Sequence, residues 1–448
     1  MSLHLVILAA GQGTRMRSDR PKVLHALAHA PLLHHAMRAG LALAPESVTV
    51  VTGHGGAEVA AAARALLPEV RIAEQTEQRG TAHAVAQALP GLDGRGGTTL
   101  VLYADTPLLR PETLRAMIEA PQDVTVLGFE AAEPGRYGRL VLDADGGLAR
   151  IVEFKDATAA ERAIGLVNSG VLCCGTELLA ELVAEVGCDN VAGEYYLTDI
   201  VALARGRGRA CGVVTCPEAE TLGVNSRADL AAAEAAFQAR ARAAALAAGV
   251  TLAAPETVHF AWDTVLGRDV TVEPNVVFGP GVTVETGATL RAFSHLEGAH
   301  VSGGAIVGPY ARLRPGAEIG DDAHVGNFVE IKAADIGAGA KVNHLSYVGD
   351  ASVGAGTNVG AGTITCNYDG VMKHRTEIGP GAFIGSATML VAPVRVGADA
   401  MTGSGSVITR DVADGALAIA RARQDVKPGL ARRLMARLRE AKAAKERG

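Results

Sequence analysis

From about residue 266 onward aliphatic side chains return every six positions, a spacing that neither an α-helix nor a simple hairpin sheet satisfies. Leu266, Val272, Phe278, Val284, Leu290 and Leu296 set the register. After a five-residue step it resumes at Val301, Val307, Leu313, Ile319, Val325 and Ile331. A second such step leads to Ile336, Val342 and Val348, and a third to Val353 and Val359. The series closes with Ile378, Ile384, Leu390, Val396, Thr402 and Ile408. This period fits a β-solenoid, in which each short strand turns one aliphatic side chain inward and glycine lets the chain round a corner. The register lapses between Gly362 and Thr376, where ITCNYDGVMKHR stands. An inserted loop on a rigid coil is a place where function gathers.

The front half has a different texture. LHLVILA, SVTVVTG, TTLVLYAD, DVTVLGF and SGVLCC read as strands, separated by helical stretches such as TAHAVAQAL and the segment after Pro111. That alternation, over residues 3 to about 216, predicts a largely parallel sheet covered by helices. DADGG between two apolar runs in residues 138–153 predicts an inserted hairpin. Arg227–Ala248 is built of strong helix formers, with Asn225 or Ser226 as N-cap and Gly249 at its end. The expected organisation is an α/β domain over residues 1–226, a linker helix over 227–249, and a hexapeptide-repeat domain over 250–448. The last part ends in a basic helical tail from Lys427.

The chain of 448 residues carries a net charge of −6 and only 4% aromatic residues, which argues against nucleic acid as a partner. No stretch reaches the roughly 18 apolar residues of a membrane span. The apolar start is cut short at Gly11 and Arg15, unlike a signal peptide. Six cysteines without C-x-x-C pairing read as free thiols, so a cytoplasmic location is expected.

Two places carry chemistry. LAAGQGTRM follows the first strand directly, and a Gly-rich strand-to-helix loop can cradle phosphate with its N–H groups. Arg15 and Lys22 supply two cations beside it, suited to a polyphosphate, although the P-loop pattern is absent. Asp105 ends an apolar strand, where it either caps the next turn or holds Mg²⁺. In the solenoid, polar residues crowd into RLRPGA, HVGNFVEIK, NHLSYVGD, NVGAGT and CNYDG. An amine must be neutral to be acylated, which calls for a base near neutrality, and His suits. His344 stands out by its setting among Lys332, Tyr347 and Asn358, whereas His25, His34 and His35 read as surface or packing residues.

LAAGQGTRM, PKVLH, EQRGTAHA, YAD, YGRL, IVEFKDAT, NSGV, GEYYLTDI and GVNSR occur in the order found in sugar-1-phosphate nucleotidyltransferases. Over nearly its whole length the chain resembles the bacterial bifunctional N-acetylglucosamine-1-phosphate uridyltransferases/glucosamine-1-phosphate N-acetyltransferases. The resemblance implies a Rossmann-like front domain and a left-handed parallel β-helix behind it. It implies that Leu8, Ala9, Ala10, Gly11, Gln75, Gly80 and Thr81 hold UTP, with Arg15 and Lys22 facing its phosphates and Tyr103 among the substrate-binding residues. Asp105 and Asn225 would bind Mg²⁺; Gly138, Glu153 and Asn168 would hold N-acetylglucosamine 1-phosphate. In the rear site His344 would be the general base, with Glu330 supporting its imidazole. Arg314 and Lys332 would bind the phosphate of glucosamine 1-phosphate, and Tyr347, Asn358, Asn367 and Tyr368 would complete the sugar site. Ala361, Ser386, Ser404 and Arg421 would contact the co-substrate acetyl-CoA, without need of Cys366 as an acyl carrier. Ala104 and Ser404 depart from the usual Gly and Ala, and the Ala104 methyl is expected to tighten the nucleotide site. A homotrimer is implied as well, with small molecules as the only other partners and no membrane insertion. The alternatives are a nucleotidyltransferase whose β-helix is only structural, and a non-catalytic nucleotide sensor.

Overall fold

The computed structural model describes residues 2–92, 94 and 96–446. The chain divides into two compact units. One holds the chain up to Ala247 together with His259–Thr264; the other holds Ala248–Val258 and the chain from Val265 on.

The first unit is an α/β sandwich. Its main elements are β1 (Leu3–Ala9), α1 (Leu32–Leu41), β2 (Ser47–Thr52), α2 (Gly56–Leu66), β3 (Arg71–Glu74), α3 (Thr81–Ala88), β4 (Thr98–Tyr103), α4 (Pro111–Glu119) and β5 (Val124–Glu130). Next come the hairpin β6 (Arg139–Leu142) and β7 (Leu148–Val152), then β8 (Leu166–Gly175), α5 (Thr176–Glu185), α6 (Ile200–Gly206), β9 (Cys211–Thr215) and α7 (Arg227–Ala247). The sheet runs β9-β5-β8-β4-β1-β2-β3. All neighbours along it are parallel except β8, which lies antiparallel to both β4 and β5. Alternation along β1 explains the two cores. Val6 and Leu8 join one apolar cluster, while Leu5, Ile7 and Ala9 join the other on the opposite face. Burial on both faces is why these strands read as continuous apolar runs.

At the start of α7 the two candidate caps separate. Ser226 Oγ accepts the Asp229 N–H at 3.2 Å, and Asp229 Oδ2 accepts the N–H groups of Ser226 and Asn225 at 2.8 and 3.0 Å. That reciprocal box caps the helix and leaves the Asn225 side chain free for the site. Leu230, Ala233 and Phe237 of this helix pack with Met16, Leu27, Leu32 and Leu108, so α7 is part of the first unit.

The second unit is a parallel β-helix. Val272 pairs with Leu290, Leu290 with Val307, Val307 with Val325, and Val325 with Val342. One coil is therefore 18 residues, or 17 where a five-residue step intervenes: three hexapeptides make one turn. From Val359 to Ile384 the coil takes 25 residues, and the excess emerges as the loop around Asn367–Arg375. Every residue named in the six-residue register is buried except Leu266, which sits in an early coil and is partly exposed. Each buried Val, Leu or Ile contributes roughly 1.5–3 kcal/mol, and the same interior recurs turn after turn. The basic tail includes an exposed helix, Leu430–Lys445; Arg447 and Gly448, the end of the expected tail, lie outside the described residues. Among the described residues no helix is long and apolar enough to cross a membrane.

Candidate active sites

In the first unit, the C-terminal ends of β1 and β4 lie side by side, with Leu8 opposite Tyr103. The Gly-rich loop leaves one strand and Asp105 follows the other, so both reach the sheet edge where ligands bind in open α/β folds. A cavity of about 330 Å³ opens there, lined by Leu8, Ala9, Ala10, Gly11, Lys22, Gln75, Gly80, Thr81, Tyr103 and Asp105. Val23, Gln78, Ala84 and Glu194 also line it and were not singled out from sequence. Gln78 donates to the Ala10 carbonyl at 2.8 Å and so holds the Gly-rich loop. Gly80 is obligatory: its φ is 113°, and a Cβ would stand 2.4 Å from the Tyr195 carbonyl oxygen. Arg15 lies exposed on a short 3₁₀ turn, Thr14–Met16, and is not among the residues lining the cavity. Ala104 corrects an expectation. Its methyl is fully buried with Leu102, Leu109 and Ala9 in the core and does not reach the cavity.

Lys22 gathers two oxygens at the cavity wall. Its Nζ donates to Asp105 Oδ2 at 2.5 Å and to Asn225 Oδ1 at 3.0 Å. Two oxygens from positions 120 residues apart thus converge on one cation. That donor pair suits Mg²⁺, which takes oxygen ligands and retains water or substrate phosphate on its other faces. Among the described residues no set of three His, Cys, Asp or Glu side chains converges on one point.

Gly138, Glu153 and Asn168 come together beside Tyr103. The Asn168 N–H donates to the Gly138 carbonyl at 2.8 Å, and Glu153 Oε1 accepts from the Thr198 hydroxyl at 3.2 Å. Tyr103, Asn168 and Thr198 share a second, small recess, so Tyr103 links it to the main cavity. Burial raises the Glu153 carboxyl above its ordinary range; the Thr198 bond opposes this, and Asp156, Asp199 and Glu194 add to it. A raised carboxylate costs stability where it is ionised, and that cost vanishes below the unfolded pKa. Glu153→Gln is therefore expected to raise the melting temperature near neutral pH, and the gap from wild type should close on acidification. Thermal unfolding across pH measures this; a gap independent of pH would contradict it.

On the β-helix, registered strands place side chains one coil apart in columns. Arg312, Glu330 and Tyr347 form one, and Lys332 pairs with Gly349 in the next position. Arg314 Nη1 donates to Glu330 Oε1 at 2.8 Å. Lys332 Nζ stands 3.4 Å from Asp350 Oδ2, and Asn367 Nδ2 donates to that same carboxylate and to the Tyr347 hydroxyl. Lys373 lies against Lys332, and that like charge lowers the Lys373 ammonium. Lys332 and Asn367 thus meet at Asp350 and Tyr347 joins through Asn367, while Arg314 is held by Glu330; Lys373 is an addition that sequence reasoning missed. Asn358 sits on a neighbouring strand paired with Lys341. Tyr368 projects on the exposed loop, where its hydroxyl donates to the Gly370 carbonyl.

Glu330 does not support His344 as expected. Its carboxylate is taken by Arg314, and it pairs in register with Tyr347. Asn327 faces the imidazole instead, with Oδ1 2.6 Å from Nδ1. Ala361, Ser386 and Ser404 fall on successive coils: the Ala387 N–H donates to the Ala361 carbonyl and the Gly405 N–H to that of Ser386. Arg421 Nη1 closes this column on the Ser404 carbonyl at 2.6 Å. Cys366 is partly buried and its thiol is raised by that burial, which leaves little thiolate for acyl transfer.

Cation-lined nucleotide clefts at a sheet edge and polar columns on a hexapeptide coil together define a two-centre transferase. Residues 5–144 match the MobA-like NTP transferase domain family. Full-length similarity is stronger. The chain is 66% identical to the bifunctional protein GlmU of Ruegeria sp. (strain TM1040), covering 100% of both chains. It is 66% identical to that of Cereibacter sphaeroides (strain ATCC 17025), over 100% of this chain and 99% of the other. It is 64% identical to that of Paracoccus denitrificans (strain Pd 1222), over 98% of each. The chain belongs to the bifunctional GlmU family. It is a transferase of UDP-N-acetylglucosamine synthesis with uridylyltransferase and acetyltransferase activities, and a merely structural β-helix is not favoured.

Proposed function

We propose that the β-helix acetylates glucosamine 1-phosphate from acetyl-CoA, and that the front cleft then joins the product to UMP from UTP, in a cytoplasmic homotrimer. The front reading is carried by Lys22, whose ammonium gathers Asp105 and Asn225 beside a nucleotide-sized cavity. Mg²⁺ held by Asp105 and Asn225 would neutralise charge building on the triphosphate. Lys22, released from those oxygens, would turn to the phosphates, and Arg15 would swing in from the loop. A phosphate oxygen of the sugar phosphate attacks the α-phosphorus of UTP. The bond to the β-phosphate breaks and pyrophosphate leaves, so positioning and charge do the work and no protein base is required. Leu8–Gly11, Gln75, Gly80 and Thr81 would hold the nucleotide, and Gly138, Glu153 and Asn168 the sugar.

In the rear site Arg314 and Lys332 would hold the phosphate, with Tyr347, Asn358, Asn367 and Tyr368 around the ring. His344 takes a proton as the 2-amino nitrogen attacks the thioester carbonyl; the C–S bond breaks and the thiolate of coenzyme A departs to be protonated. Ala361, Ser386, Ser404 and Arg421 would lie along the acyl donor.

Incubation with glucosamine 1-phosphate, acetyl-CoA, UTP and Mg²⁺, each omitted in turn, tests the scheme. The sugar nucleotide is expected only from the complete mixture, with acetylated sugar phosphate accumulating when UTP is left out. Sugar nucleotide formed without acetyl-CoA, or no acetylation in any mixture, would overturn it.

A further inference from the structure

Asn327 and His344 stand opposite each other on adjacent coils of the β-helix, in the pairing that also aligns Val325 with Val342. The approach is closely built. A Cβ on Gly326 would lie 2.0 Å from the Asn343 carbonyl oxygen, so only glycine lets the two coils come together beside this pair. The His344 carbonyl is fixed in turn, accepting from the Gly362 N–H at 3.1 Å and the Ser346 hydroxyl at 2.9 Å. The imidazole therefore projects from a backbone held on both sides, with Nδ1 2.6 Å from Asn327 Oδ1.

An amide oxygen only accepts, so the nitrogen it faces must carry the proton. A neutral imidazole has one ring proton, and placing it on Nδ1 leaves the Nε2 lone pair free. We propose that Asn327 is a positioning residue for acetyl transfer, locking His344 in the Nδ1–H tautomer and directing Nε2 to the incoming amine. Without it the proton resides on either nitrogen and part of the enzyme is the wrong tautomer. The choice of an amide over a carboxylate matters too. A carboxylate at this distance would stabilise imidazolium and raise its pKa, withdrawing the base as pH falls toward neutrality. A neutral acceptor fixes the tautomer without placing a charge beside the ring.

This inference rests on the reading of His344 as the base, and the test separates the two. Acetyl-transfer kcat and KM are measured from about pH 6 to about pH 9 for wild type, Asn327→Ala, Asn327→Asp and His344→Ala, with thermal unfolding of each variant as a check of folding. Asn327→Ala is expected to lose about 10–100-fold in kcat, with KM for the sugar phosphate within about twofold. Asn327→Asp is expected to recover most of the rate at the alkaline end, with its acid limb moved up by about one pH unit. Wild-type kcat in Asn327→Ala, or equal losses in both variants with an unmoved acid limb, would refute the positioning role. If Asn327→Ala no longer unfolds cooperatively, the acid limb of Asn327→Asp decides alone. Retained acetylation in His344→Ala would instead remove the base reading, and this inference with it.

Discussion

Replacing His344 with alanine is expected to lower acetyl transfer by about 10²–10⁴-fold, the range a general base supplies. Uridylyl transfer by the same protein should be unchanged, because His344 belongs to the β-helix unit and the cleft to the other. The His344 side chain is exposed on its coil, so its loss removes no packed core and the melting temperature should hold. Product analysis with both substrate sets measures the effect, and acetylation at wild-type rate would remove His344 from the mechanism.

The second large effect is expected at Asp105. Asp105→Ala deletes the carboxylate that meets Lys22 at 2.5 Å and leaves Asn225 as the other oxygen on that ammonium. Loss of a metal-holding carboxylate at a developing phosphate charge removes several kcal/mol of transition-state stabilisation, so a fall of about 10³-fold in uridylyl transfer is expected. Acetyl transfer should persist. Binding of Mn²⁺ as a spectroscopic stand-in, measured without nucleotide, distinguishes the metal role from a turn cap: a cap variant would bind the ion as wild type does.

Much of the fold is legible in the amino-acid sequence, for a physical reason. A repeat that closes a coil every three hexapeptides writes its fold into one periodicity, and the inward ladder from Val272 to Ile408 follows it. Short-range logic also found the Gly-rich loop and the hairpin at 138–153, realised as β6 and β7. The antiparallel course of β8 left no such trace, because a strand buried on both faces looks the same in either direction. Neither did the Lys22–Asn225 bond, which spans 203 positions. The rear site shows the opposite case. Coil arithmetic was available, since Val325 and Val342 are 17 apart, and so are Asn327 and His344. Counting one coil back from His344 lands on Asn327; counting back from Tyr347 lands on Glu330. Chemical type favoured the carboxylate, and register decided for the amide.

The coils also act as a ruler. Neighbouring strands of a sheet stand about 4.8 Å apart, so Ala361, Ser386 and Ser404 mark equal graduations along the axis. The chain takes 25 residues to pass the first interval and 18 the second, yet the graduations stay equal, because the surplus is thrown outward as a loop. Distance along the axis is therefore quantised by whole turns, independent of how much sequence each turn consumes. A ligand lying along it is measured in steps that point substitution cannot stretch, and its length can be retuned only by adding or removing a complete turn.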